Sequence, residues 1–232
     1  MGDAARSVRD VDGLLRMLDE VFPAPEPFWD RFYEDHDRDV PFFAAKPDES
    51  LVSYLDGGML TPGRALDLGC GSGRNAAHLV ASGFDVDAVD LSATAIAWAR
   101  ERAPEVRSHQ GDAFTADLAG PYDLIYDSGC FHHLPPHRRI SYLDLLDRLL
   151  ARGGHLAISC FVAGAANSGT ELPDLELYRR GVLAGGLAYT PDELRGVFAD
   201  LIPVEVRPMR AQPPESPLFG VDFLQVGLFR RR

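Results

Sequence analysis

At 232 residues the chain is long enough for one well-packed α/β domain and too short for two ordinary ones. Its formal net charge of −12 argues against a phosphate-tracking surface, because nucleic-acid binders carry a basic patch that releases counterions. No apolar run reaches the roughly 18 to 20 residues of a bilayer span, and MGDAARSVRD lacks the apolar centre of a signal peptide. The expectation is a cytoplasmic protein with no membrane or nucleic-acid partner. Cys70, Cys130 and Cys160 form no C-x-x-C pair, which suits a reducing compartment.

From Ser7, the apolar residues Val8, Val11, Leu14, Leu15, Leu18, Val21 and Phe22 recur at helical spacing and predict a first amphipathic helix. Pro23, Pro25 and Pro27 break it. Trp29, Phe32 and Tyr33 predict a short second helix, and Leu51, Val52, Tyr54 and Leu55 a third that stops at Gly57-Gly58. After Pro62-Gly63 the pattern changes. Strands are predicted at 64–68, 84–90, 106–110, 122–127 and 155–161, with helices between them at 75–81, 92–102 and 138–150, the last closed by Gly153-Gly154. Strand–helix alternation at this spacing implies parallel pairing through right-handed crossovers, hence a doubly wound α/β sheet. Residues 162–189 read as a long connection with a short helix around ELYRRG. Thr190-Pro191-Asp192-Glu193 reads as a capping box opening a helix through Leu201. Two last strands, 204–209 and 223–229, are predicted to pair antiparallel, for seven in all.

In such a sheet, ligands bind beyond the carboxyl ends of the strands. The loop after the first strand is Asp67-Leu68-Gly69-Cys70-Gly71-Ser72-Gly73-Arg74-Asn75, a glycine turn opening a helix, and the second strand ends at Asp90, where a carboxylate can accept both ribose hydroxyls. A dinucleotide fingerprint would want glycine or alanine where Arg74 stands, which disfavours a dehydrogenase.

At these residues the chain resembles the class I S-adenosylmethionine-dependent methyltransferases. DLGCGSGRN matches their first motif, DAVDLS the acidic second-strand motif, GDAF at 111–114 the adenine loop and YDLIYDSGCFHHL the fourth-strand motif. GCGxGRN and the preface PFWDRFYEDHDRDVPFF look most like the thiopurine and tellurite-resistance type that acts on small molecules. The resemblance covers roughly residues 40–232. It implies a Rossmann-like core at 62–232 beneath an N-terminal helical lid at 1–61, with S-adenosylmethionine as cofactor. Gly69, Gly71 and Gly73 would line the methionine part, with Asp67 organising the turn. Asp90 would hold the ribose, Leu91 would pack on the adenine, Asp112 would take its amino group, and Ala113 would lie close by. Asp127 and Ser128 would lie nearest the sulfonium and the cofactor's amino group. Arg74 reads either as a contact to the cofactor carboxylate or as a surface arginine. Trp29 and Phe42 are the lid aromatics expected against the substrate, since such faces attract a sulfonium.

SGCFHHLPPH, residues 128–137, gathers Cys130, His132, His133 and His137. A structural zinc site draws ligands from two separated pairs, so no metal is expected. Cys130 has no basic neighbour before Arg138 to activate it as a thiolate. The remaining reading is a pocket rim with a general base, His132 first and His133 second, each poised near working pH. The function expected is methyl transfer to an O, N or S nucleophile of a small molecule. Non-methylating use of the cofactor, such as displacement of its aminocarboxypropyl chain, and a non-catalytic cofactor-binding module are the alternatives. Oligomeric state is beyond the sequence.

Overall fold

The computed structural model describes residues 8–38, 40–183 and 185–232. Residues 1–7, where the first helix was expected to open at Ser7 and where most of MGDAARSVRD lies, fall outside the described residues, as does Asp39 of the lid. Seven strands form one sheet: β1 (Arg64–Leu68), β2 (Asp85–Asp90), β3 (Arg107–Gln110), β4 (Tyr122–Ser128), β5 (Leu150–Phe161), β6 (Ile202–Pro208) and β7 (Leu224–Arg230). Their order is β3-β2-β1-β4-β5-β7-β6. β3 to β5 run parallel, and β7 pairs antiparallel with both β5 and β6. This is the open Rossmann-like sheet predicted, with its switch point between β1 and β4, where a crevice opens at the strand ends.

The helices are α1 (Val11–Asp19), α2 (Glu26–Glu34), α3 (Glu49–Asp56), α4 (Arg74–Ala81), α5 (Ala93–Arg102), α6 (Arg138–Leu149), α7 (Asp174–Arg180) and α8 (Pro191–Val197). Strand alternation sorts them into layers. Leu66, Leu68, Ile125, Leu156 and Ile158 face α6, meeting Tyr142, Leu145 and Leu149. Ala65, Leu124, Tyr126 and Ala157 face the opposite side and meet Leu51 and Tyr54 of α3 and Leu79 of α4. Of the helices expected in the lid, α3 thus packs on the sheet, while α1 and α2 border the crevice. Burying a side chain such as Leu51 contributes about 1.5–3 kcal/mol, which fastens α3 to the sheet.

Among the element boundaries that differ from expectation, two have a clear physical cause. Gly153 and Gly154 do not close α6: they lie inside β5, which begins at Leu150, and the Gly153 amide and Gly154 carbonyl pair with Arg231. A Cβ at Gly154 would sit 2.9–3.2 Å from three backbone oxygens, so the glycine serves close strand approach where the β4–β5 register shifts. α8 opens with the expected capping box but ends at Val197, four residues early, and Phe198 tucks into the core against Phe131 and Phe229.

Candidate active site

A cavity of about 860 Å³ opens at the carboxyl ends of β1, β2 and β4, and a side recess of about 40 Å³ runs back under the glycine turn. The turn is built by backbone demands. Gly71 has φ +51°, and a Cβ there would fall 2.4 Å from the Tyr33 hydroxyl of α2, which rests on the turn. The Gly71 amide donates to Asp90 Oδ2 and the Ser92 amide to Asp90 Oδ1, both at 2.9 Å, which aims the second-strand carboxylate into the crevice. Burial pushes the Asp90 carboxyl up, against the pull of those two amides. Gly73 lies on neither wall: its missing Cβ makes room for Ala99, 2.9 Å away, where α4 packs on α5.

Asp67 lies on the recess. Burial pushes its carboxyl up to about 7, Arg74 opposes that, and Oδ2 is buried without a hydrogen-bond partner. An unsatisfied buried carboxylate oxygen is costly unless a ligand donor meets it. An ammonium group entering the recess supplies that donor.

Arg74 is neither exposed nor aimed at open space. It is buried, reaches Asp48 Oδ1 at 2.5 Å and the Lys46 carbonyl at 2.8 Å, donates to Ser128 Oγ at 2.9 Å, and stacks on Phe219 at 4.4 Å. Asn75 accepts the Asp48 amide at 3.0 Å. The Arg-Asn pair at the end of DLGCGSGRN therefore clamps the segment leading into α3, a role its sequence context could not disclose because Lys46 and Asp48 lie 26 to 28 residues away.

Leu91, Asp112, Ser128, Trp29 and Phe42 all line the main cavity, joined by Phe114, Phe161 and Phe223. Asp112 Oδ1 accepts the Phe114 amide at 2.9 Å, which shapes the loop after β3. Ala113 instead packs toward the core, and its neighbour Phe114 takes the wall. Asp127 departs from its expected place. It is fully buried off both walls, accepting the Cys130 and Phe131 amides and the Tyr142 hydroxyl, so it caps the turn after β4 rather than meeting a ligand. Burial pushes its carboxyl up to about 7.

SGCFHHLPPH splits three ways. Cys130 touches the wall, and burial pushes its thiol up, away from a reactive thiolate. His137 turns to the outer edge of the cavity, where Nε2 donates to Asp19 of α1 at 2.7 Å and Nδ1 accepts from the Tyr178 hydroxyl at 2.8 Å. His132 and His133 line the cavity with Nε2 atoms 3.1 Å apart. The Phe161 amide donates to His132 Nδ1 at 3.3 Å, so neutral His132 carries its proton on Nε2 and donates it to His133. His133 directs its own proton to the Gly185 carbonyl. Burial pushes His133 down to about 4 and His132 well below its usual range, with His133 adding to the shift. Neither is poised near neutral pH, contrary to expectation. Among the described residues, no group of three or more His, Cys, Asp or Glu side chains converges as a metal site.

The lid is fastened by contacts the sequence did not signal. Asp30 of α2 accepts from Ser92 Oγ, the cap of α5, at 2.7 Å. Asp19 takes the Arg138 guanidinium through both carboxylate oxygens, Nε at 2.8 Å. The Trp29 and His133 rings meet T-shaped, centroids 4.8 Å apart.

Against known proteins, residues 65–154 match the methyltransferase domain family. Trans-aconitate 2-methyltransferase of Methylobacterium nodulans is 36% identical over 116 residues, 49% of this chain and 43% of that protein. Probable thiol methyltransferase 2 of Arabidopsis thaliana is 27% identical over 53% of this chain and 57% of that one. The chain thus matches about half the length of these curated relatives. Among solved structures, one from the conversion of a disulfide bond into a thioacetal group during echinomycin biosynthesis aligns with TM-score 0.69 and 25% identity, covering 90% of this chain and 92% of that one. Burkholderia thailandensis 1,6-didemethyltoxoflavin-N1-methyltransferase, bound to its substrate and S-adenosylhomocysteine, aligns with TM-score 0.63 and 23% identity over 88% and 87%.

Proposed function

We propose that this chain, which belongs to the class I S-adenosylmethionine-dependent methyltransferases, transfers the methyl group of that cofactor to a small-molecule nucleophile. The observation that carries the reading is the recess beneath the glycine turn with its unpartnered Asp67 Oδ2, continuous along Gly69 and Gly71 with the Asp90 carboxylate. These residues fit the cofactor. Asp67 would take its ammonium, Gly69, Gly71 and Ser128 would border the methionine portion beside Arg74, Asp90 would hold the ribose hydroxyls, and Leu91, Asp112 and Phe114 would enclose the adenine. Bound there, the cofactor supplies an electrophilic methyl carbon on a sulfonium.

The chain's own part is positioning. Trp29 and Phe42 of the lid would close over the acceptor and exclude water, so that nucleophile and methyl carbon meet at near-attack distance. His132 and His133, held neutral and hydrogen-bonded to each other, would form the acceptor's far wall. The trans-aconitate and thiol methyltransferases match over only about half of this chain, so they support the transfer more than the choice of acceptor. The test is thermal shift. S-adenosylhomocysteine is expected to raise the melting temperature by mass action and NAD to leave it unchanged. Equal shifts, or a larger one with NAD, would overturn the assignment.

A further inference from the structure

The cavity wall carries an unusual balance of charge. The two guanidinium groups among the described residues of the wall are both committed inside the protein: Arg74 to Asp48, Ser128 and the Lys46 carbonyl, and Arg138 to Asp19 and Ser141. Against them stand the carboxylates of Asp19, Glu20, Glu26, Asp90 and Asp112. An anionic acceptor entering this space would leave water, find no free cation among the described residues, and face an excess of like charge.

Among the described residues, the wall also lacks a basic proton acceptor aimed inward. His132 spends Nδ1 on the Phe161 amide, and His133 spends Nε2 on His132. Asp90 and Asp112 hold backbone amides on the cofactor side, Asp19 is occupied by Arg138 and His137, and Glu20 and Glu26 are exposed at the mouth. What remains is aromatic: Phe161 stacks on His132 at 3.8 Å, with Phe223 beyond it at 6.2 Å and Trp29 against His133. Flat rings favour flat partners through offset stacking.

Resting on the methyl-transfer reading, we propose that the acceptor is an uncharged, flat, heteroaromatic molecule that offers a nitrogen or sulfur lone pair carrying no proton. The lone pair forms the bond to the methyl carbon, the carbon–sulfur bond breaks with its electrons returning to the cofactor sulfur, and the positive charge passes to the acceptor. No proton leaves, so no base is needed. The net charge in the cavity is the same before and after, and the surplus carboxylates favour the cation in both positions.

Two probes with the same fused two-ring frame separate the possibilities: isoquinoline, neutral with a bare ring nitrogen, and 2-naphthoate, an anion. By calorimetry on the protein saturated with S-adenosylhomocysteine, isoquinoline is expected to bind at least about tenfold more tightly, the scale of one unpaired charge at a partly wet site. With S-adenosylmethionine it should yield N-methylisoquinolinium by mass spectrometry, while 2-naphthol, which must lose a proton, is not methylated. Asp19→Asn, which releases Arg138, should raise 2-naphthoate affinity about tenfold. Naphthoate binding as tightly as isoquinoline in the wild type, no binding of isoquinoline, or faster methylation of naphthol would each overturn the proposal. Failure of S-adenosylhomocysteine to bind at all would instead overturn the methyl-transfer reading beneath it.

Discussion

The cofactor side of the crevice and its lid are built from different kinds of interaction. On the cofactor side, the shaping hydrogen bonds join near neighbours or adjacent strands: Asp90 to Gly71 and Ser92, Asp112 to Phe114, Asp127 to Cys130 and Phe131. None spans more than 19 residues. The lid is held by side chains that meet across the fold, Asp48 with Arg74, Asp30 with Ser92 and Asp19 with Arg138, the last 119 residues apart. Backbone-directed turns leave a pattern of glycines and carboxylates at fixed spacing, whereas long-range side-chain pairs leave none. The two regions should therefore fail differently when broken.

The largest effect is expected at the joint between them. Asp48 is fully buried and meets Arg74, Tyr126 and Asn75. Asp48→Ala strands the guanidinium without its partner and should destabilise the fold by about 3–5 kcal/mol, the scale for breaking a buried pair. Urea denaturation measures it. A loss under about 1 kcal/mol would mean that Arg74 is satisfied by Ser128 and the Lys46 carbonyl alone, and that the clamp on α3 is dispensable.

A smaller effect, on the cofactor side, depends on pH. Without ligand, Asp67 titrates at about 7 because burial outweighs Arg74, against 3.8 for an unperturbed carboxyl. The folded state then binds its proton more tightly than the unfolded chain, so this group's contribution to stability falls as pH rises from about 4 to 7. Asp67→Asn removes that loss. Without cofactor, the variant should gain on the wild type as pH rises from 5 to 8. Cofactor binding runs the other way, since the ammonium wants the carboxylate charged. Wild-type affinity for S-adenosylhomocysteine should fall by up to about tenfold for each pH unit below 7, and the variant's should not. Parallel pH dependence in the two proteins would detach Asp67 from the ammonium.

The same division explains what could be foreseen. The parallel sheet, the antiparallel last strand, the capping box at Thr190 and the cavity positions of Gly69, Gly71, Asp90, Leu91 and Asp112 follow from periodicity, turn chemistry and family motif. Asp127 sits in the fourth-strand motif, yet its carboxylate is taken by amides and a tyrosine, and only the turn's three-dimensional path shows that. Gly153-Gly154 has the look of a helix stop because a strand bulge and a C-cap ask the same residue for the same freedom. Ending α8 at Val197 reflects Phe198 being drawn into an aromatic cluster, a tertiary contact that overrides local propensity.

His132 brings the two regions into one measurement. It follows the fourth-strand motif in sequence but faces the lid through His133 and Trp29. His132→Phe keeps the stack on Phe161 while removing both ring nitrogens. If His132 were a general base, the methylation rate would fall roughly 10²- to 10⁴-fold. Its nitrogens are instead spent within the protein, and His133 titrates at about 4, so both stay neutral through the working range. The expected outcome is a rate within about tenfold of wild type, below the general-base range. Stability should fall by about 1–3 kcal/mol as the Phe161 amide loses its acceptor. The wild-type kcat should show no inflection between pH 6 and 8, where an unperturbed histidine would titrate. An inflection near 6.5 that His132→Phe abolishes would return the proton to this residue and make the wall of the cavity part of the chemistry.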